Sequence, residues 1–246
     1  MKVTILGSRG AYPNKDEGCS GYLFQADGYN LLIDCGSGVV SMLQNYIKLT
    51  ELDSVIISHY HADHFSDISV LQHGIMIECM ANNMEKNLDI YGNQENENYG
   101  ELTYKNYTTG MAYQEGNQLN LGPFRVNFLK TQHSSPCCAV QILYRDKKIV
   151  YTADTAYFDQ LVSFSENADL LLAECSLYPG TDGQQMGHMN STDNANLANN
   201  AGVNKLIISH LPNYGDNRLL LEDAKKHFSS AIELAKSGME IKLILQ

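Results

Sequence analysis

SHYHADHFSD, residues Ser58 to Asp67, follows directly on the apolar run Val55-Ile56-Ile57. It packs three histidines and an aspartate into the positions from His59 to His64. His59 and His61 are two apart, so on an extended chain their rings point to the same side and can bind one ion. Asp63 and His64 fall on the turn into the next helix and point elsewhere, toward a second ion. Zn²⁺ accepts histidine nitrogen and carboxylate oxygen, and a catalytic site keeps one position open for water.

Further donors stand where apolar strands end. NLLI runs into Asp34, FLKTQ into His133, IVYTA into Asp154 and LIIS into His210. Neighbouring strands of one sheet end at one rim, so these residues can converge although they are distant in sequence. A carboxylate can bridge two ions about 3.5–4 Å apart, and Asp154 is the candidate bridge.

The strands themselves read clearly. Lys2 to Leu6 is followed by the breaker Gly7-Ser8-Arg9-Gly10. Tyr22 to Gln25 and Tyr29 to Ile33 flank the hairpin signal Ala26-Asp27-Gly28. Val39 to Ile47 has helical spacing, Ser54 to Ile57 reads as a strand, and a helix starting near Asp63 carries Ile68, Leu71 and Ile75 on one face. Phe124 to Lys130, Ala139 to Tyr144, Lys148 to Thr152, Leu170 to Ala173 and Leu206 to Ser209 read as strands. Ser191 opens a helix that ends at Gly202, with Ser191 or Thr192 as its cap. Arg218 to Lys236 reads as mostly helical, and Ile241 to Leu245 as a closing strand. Meanders in each half, each followed by helices, suggest an α+β fold with two sheets face to face and helices outside, a four-layer αββα sandwich.

The chain reads as a single domain over 1–246. Within it, 82–118 is a polar excursion rich in Asn, Glu, Tyr and Gly, with one strand at Leu88 to Tyr91, suited to a lid or a dimer contact.

Composition narrows the partners. The 246 residues are 43% hydrophobic and 18% charged, as in soluble globular proteins. The net charge is −11 with only 17 Lys and Arg, so extended nucleic acid is disfavoured as a partner. No run is long enough to span a bilayer, and the N-terminus lacks the pattern of a secretory signal. A cytoplasmic location is expected. Cys19, Cys35, Cys79, Cys137, Cys138 and Cys175 show no CxxC spacing and are read as reduced thiols.

HYHADH, with Asp34, His133, Asp154 and His210 in that order along nearly the whole chain, resembles the metallo-β-lactamase superfamily. That resemblance implies the αββα sandwich, with two Zn²⁺ (Mn²⁺ or Fe²⁺ as alternatives) at one edge of the sheets. It implies that His59, His61 and His133 bind one ion and that Asp63, His64 and His210 bind the other. Asp154 bridges, and Asp34 is the carboxylate behind a ligand that fixes its orientation. Gly187-His188-Met189-Asn190-Ser191-Thr192 and Leu171-Leu172-Ala173-Glu174 resemble the ribonuclease Z-like and small phosphodiesterase branch. There Glu174 orients His188, and His188 stabilises the phosphorane or protonates the leaving alkoxide.

Departures narrow the branch. Phe65-Ser66-Asp67 stands where glyoxalase II and lactonase branches carry two glycines. Di-iron flavoproteins have an acid where His61 stands. No long Gly/Pro-rich insertion resembles the tRNA-gripping arm of ribonuclease Z. The expected function is a dinuclear metal-dependent phosphodiesterase acting on a small or nucleotide-like substrate. A metal-bridging hydroxide would be the nucleophile, with Asp63 holding its proton. The alternatives are hydrolysis of another ester, thioester or lactone at the same metals, or a tRNA 3′-processing endonuclease. A homodimer is expected from the resemblance. His73 and His227 match no motif.

Overall fold

Lys2 to Arg9 form β1, buried from Val3 to Ser8, beside the two-residue strand β2 (Gly18–Cys19) in this computed structural model, which describes residues 1–244. β3 (Gly21–Ala26) and β4 (Tyr29–Ile33) pair antiparallel across Asp27-Gly28. Both turn residues have positive φ, 49° and 81°, as a two-residue type I′ turn requires. The expected helix from Val39 is shorter than its spacing suggested. α1 covers Val39–Leu43, because the Asn45 amide donates to the Met42 carbonyl and competes with the helical ladder.

β5 (Ser54–Ile56) leads into α2 (Ala62–Phe65) and α3 (Ile68–Asn82). One continuous helix was expected from near Asp63. It breaks at Ser66-Asp67, since the Asp67 N–H bonds the Cys35 carbonyl instead of the preceding turn. Ile68, Leu71 and Ile75 are buried, as the spacing implied.

The polar stretch 82–118 contains more regular structure than its composition suggested. β6 (Leu88–Asn93) pairs with β5, and β7 (Thr108–Tyr113) pairs parallel with β6 at the sheet edge. Only the ends of β7 are buried, which removes the alternation that marks a half-buried strand.

These elements form the first of two compact units, built chiefly from Met1–Gln114 with Lys236–Lys242. Its sheet runs β15-β1-β3-β4-β5-β6-β7, where β15 is Met239–Lys242 and β2 attaches to β1. The closing strand thus ends at Lys242; Leu245 lies outside the described residues. Leu23, Leu32, Val55 and Ile90 of the sheet pack with Val39 and Leu43 of α1 and Leu71 and Ile75 of α3.

The second unit is built chiefly from Phe124–Ala235. Its strands are β8 (Gln118–Leu121), β9 (Phe124–Lys130), β10 (Cys138–Tyr144), β11 (Lys147–Tyr151), β12 (Leu170–Glu174), β13 (Lys205–Ser209) and β14 (Ala231–Leu234), in the order β14-β13-β12-β11-β10-β9-β8. Its helices are α4 (Asp159–Phe164), α5 (Ser191–Asn200) and α6 (Arg218–His227). Leu171, Ala173, Leu206 and Ile208 pack under Leu161, Leu197, Ala198 and Leu220 from the helices.

Two boundaries differ from expectation here. The cap of α5 is Asn190, not Ser191 or Thr192. Its side chain accepts from Asp193 N at 2.9 Å, and Asp193 Oδ2 accepts from Asn190 N at 3.2 Å. The stretch from Arg218 is helical only to His227. Phe228 turns extended at φ −133° and is buried, and β14 then pairs parallel with β13. All six cysteines are buried free thiols. Among the described residues no helix is long and apolar enough to cross a membrane.

Candidate metal centre

In the first unit, β4 and β5 are parallel neighbours with Ile33 opposite Ile56. The residues past their ends are therefore close. Asp34 is fully buried with φ at +59°. Its carboxylate accepts from Ser58 N at 2.7 Å and from the Ser58 hydroxyl at 2.8 Å. His64 Nδ1 lies 2.7 Å from the same carboxylate. With its Nδ1 proton given to Asp34, His64 keeps Nε2 as a lone-pair donor, the arrangement a metal-ligating histidine uses.

His59 Nε2 and His61 Nδ1 lie 3.0 Å apart, with His59 Nδ1 3.2 Å from the Ser58 hydroxyl. His61 precedes α2, while Asp63 and His64 sit in its single turn. Asp63 Oδ2 is 3.6 Å from His64 Nε2 and accepts from Ala11 N at 2.7 Å. The run thus splits into two donor pairs, His59 with His61 and Asp63 with His64. From β7, the buried Tyr113 places its hydroxyl 2.7 Å from the Ile57 carbonyl and 3.1 Å from that of Ser58, bracing the chain just before His59.

In the second unit, Asp154 is only 2% exposed and lies between two histidines. Its Oδ2 is 3.8 Å from His133 Nε2, and its Oδ1 is 3.4 Å from His210 Nε2. Both rings are held from behind. His133 Nδ1 is 3.0 Å from the Gly187 carbonyl, and His210 Nδ1 is 2.8 Å from the Ser176 hydroxyl. Gly187 has φ +71°, and a Cβ there would lie 2.9 Å from His133 Cα, so this contact requires glycine. Ala153 and His210 also have positive φ, 49° and 51°. Such strain gathers at functional sites, where the surrounding structure holds it.

Glu174 and His188 also meet. His188 Nδ1 is 2.8 Å from Glu174 Oε1. Glu174 is fully buried and accepts as well from Thr155 N (3.2 Å), Met189 N (3.1 Å), Ser176 N (2.9 Å) and the Ser176 hydroxyl (3.0 Å). Glu174, His188 and His210 offer ligand atoms within 4.8 Å of one another. Ser176 was not singled out from the sequence, yet its hydroxyl reaches Glu174, His210 and, at 3.2 Å, His188 Nδ1. A serine two residues past a strand-end acid carries no local signal of that role. His73 and His227 are exposed.

Imidazole nitrogens and carboxylate oxygens suit zinc, manganese or iron. His59 and His64 in the first unit, and His133 and His210 in the second, have the far side of the ring already bonded, so the donor chemistry fits divalent ions.

The sequence model of a protein family described as Anti-Pycsar protein Apyc1 matches residues 1–228. The chain is 44% identical over 239 residues to the probable metallo-hydrolase YhfI of Bacillus subtilis, covering 97% of this chain and 98% of that protein. The crystal structure of the metallo-β-lactamase fold protein YhfI from Bacillus subtilis superposes with a TM-score of 0.95 over 98% of each chain. Ribonuclease Z of Thermoplasma acidophilum is 24% identical over 98% of this chain and 95% of its own. The short form of human tRNase Z shares the fold, with a TM-score of 0.77 at 20% identity over the whole of both chains.

Proposed function

The chain belongs to the family of the Anti-Pycsar protein Apyc1 and is a metallo-hydrolase of the metallo-β-lactamase fold, and from that premise we propose that it is a dinuclear phosphodiesterase acting on small, nucleotide-like substrates. His59, His61 and His133 would hold one ion, Asp63, His64 and His210 the other, and Asp154 both, with zinc as the metal. Two such cations supply Lewis acidity toward the phosphoryl oxygens and water that is nucleophilic near neutral pH.

The observation that carries the phosphodiester reading is the contact of the partly exposed His188 with the buried Glu174 at 2.8 Å. An alkoxide leaving from phosphorus is strongly basic and needs a proton as it departs. His188 gives its Nδ1 proton to Glu174 in a hydrogen bond, which leaves Nε2 to deliver a proton to the leaving oxygen. The buried carboxylate stabilises the charged ring that this requires. Asp34 holds His64 through Nδ1, and Asp63, which accepts from Ala11 N, would hold a proton of the attacking water.

The test is turnover of an alkyl phosphodiester, whose leaving group is an alkoxide, and of bis(p-nitrophenyl) phosphate, beside thioester, lactone and precursor-tRNA substrates. His188→Ala should retain full metal content by elemental analysis and lose at least about 100-fold in kcat on the alkyl phosphodiester, the usual scale of acid–base catalysis, with a smaller loss on bis(p-nitrophenyl) phosphate, whose nitrophenolate leaves without a proton. Unchanged turnover of the alkyl phosphodiester removes the role of His188. Cleavage of carbonyl substrates without phosphodiesters, or of precursor tRNA alone, replaces the reading.

A further inference from the structure

The loop after His210 carries an aromatic ring that the fold does not bury. Tyr214 is 61% exposed, yet its loop is tied down on both sides. The Tyr178 hydroxyl is 2.8 Å from the Tyr214 carbonyl and 3.1 Å from Asn217 Oδ1. Asn217 Nδ2 donates to the Pro212 carbonyl at 3.1 Å. A Cβ on Gly215 would lie 2.5 Å from the Tyr178 hydroxyl, so the backbone runs flat against that ring. The Tyr178 and Tyr214 rings pair at 5.6 Å between centroids, inclined by 52°.

This aromatic pair stands beside the chemistry. The Tyr214 hydroxyl is 3.5 Å from the carbonyl oxygen of Ser176. The hydroxyl of that same serine is 2.8 Å from His210 Nδ1 and 3.2 Å from His188 Nδ1. A contact of 3.5 Å is too long to anchor the phenol strongly; the loop, not the hydroxyl, holds the ring in place. Leaving a large aromatic face in water forgoes its burial. A rigid, exposed tyrosine is what a recognition surface uses, because little side-chain freedom is lost on binding. The charges next to it are already matched, with Asp216 and Arg218 paired at 2.6 Å, so the platform favours a neutral planar group over an ionic one.

We propose that Tyr214, backed by Tyr178, is the platform on which the heteroaromatic base of the substrate stacks, so that the site selects base-bearing phosphodiesters over plain ones. This rests on the phosphodiesterase reading of the same site. Stacking of a base on an aromatic side chain is sequence-tolerant, because every base presents a π-face. The platform therefore selects for the presence of a base more than for its identity.

Binding tests the platform separately from turnover. The affinities of the metal-loaded protein for a nucleoside 5′-monophosphate and for ribose 5-phosphate, which differ only by the base, are measured by calorimetry. The unsubstituted protein should prefer the nucleotide by about tenfold or more. Tyr214→Ala should abolish that preference while leaving ribose 5-phosphate affinity and melting temperature unchanged, and Tyr214→Phe should restore it. Absence of a base preference in the unsubstituted protein, including binding of neither ligand, overturns the platform. An equal loss for both ligands in Tyr214→Ala overturns it too. Failure of phosphodiester hydrolysis instead removes the reading on which the platform rests, and is scored by turnover alone.

Discussion

Asp34 divides one carboxylate between two neighbours, Ser58 through its amide and hydroxyl and His64 through Nδ1. Asp34→Asn keeps the size and tolerates the left-handed backbone, but it has one acceptor oxygen where two are used. Its NH2 group would face either the Ser58 backbone N–H or, in the other flip, the Ser58 hydroxyl and His64 Nδ1 together. The variant should fold and lose about 10–100-fold in affinity for the ion assigned to His64, the usual effect of removing such a partner. Titration against a competing chelator reads this directly, and unchanged affinity would remove the assigned role. Asp34 was legible because it follows an apolar strand and precedes Gly36. Ser58 and Ser176, which join the same networks, were not. A serine beside a histidine is ordinary in sequence, and only its partners distinguish it.

At the scale of elements, α5 and α6 are joined by a carboxylate. Asp223 on α6 accepts from the Ser191 and Thr192 hydroxyls at the start of α5, each at 2.8 Å. These two residues were read as caps; they serve this junction while Asn190 caps the helix. Burial pushes the Asp223 carboxyl up, but the hydroxyls of Thr192 and Ser191 and the charge of Lys226 outweigh it and hold it below the usual range. Asp223→Asn should cost about 1–3 kcal/mol at neutral pH, the scale of a hydrogen bond to a charged group. Because the folded carboxyl is the stronger acid, the cost is complete above about pH 4, the unfolded value, and shrinks as pH falls through the lower folded value. Urea unfolding of both proteins from pH 7 to pH 3 follows it; a gap independent of pH would exclude the carboxylate's charge as its source. Among the strands missed in the sequence, β7, β8 and β14 are edge strands. An edge strand shows half its backbone to solvent, so its apolar pattern is faint. The central strands, buried on both faces, were legible as unbroken apolar runs.

For the whole molecule, the donors define how stability depends on metal. An ion that binds the native state and not the unfolded chain stabilises by mass action, about 2.7 kcal/mol at one hundred times its dissociation constant. Protein stripped by chelator should therefore melt at a lower temperature, and added Zn²⁺ should raise the melting point continuously with concentration. A melting temperature indifferent to Zn²⁺ would mean that the histidines and aspartates hold no ion in the native state. The order of donors after apolar strands was set by the sequence alone, and with it the metallo-β-lactamase fold and the set of candidate ligands. Each such signal is local: a strand's alternation and the residue that follows it. The tertiary structure alone decided what stands behind those ligands. The parallel register of β12 and β13 puts Glu174 opposite Ser209, which brings Ser176 to His210. The turn at Gly187 lends its carbonyl to His133 from 54 residues away. Hydrogen bonds of that kind depend on register and backbone approach between distant segments, and no local pattern encodes them.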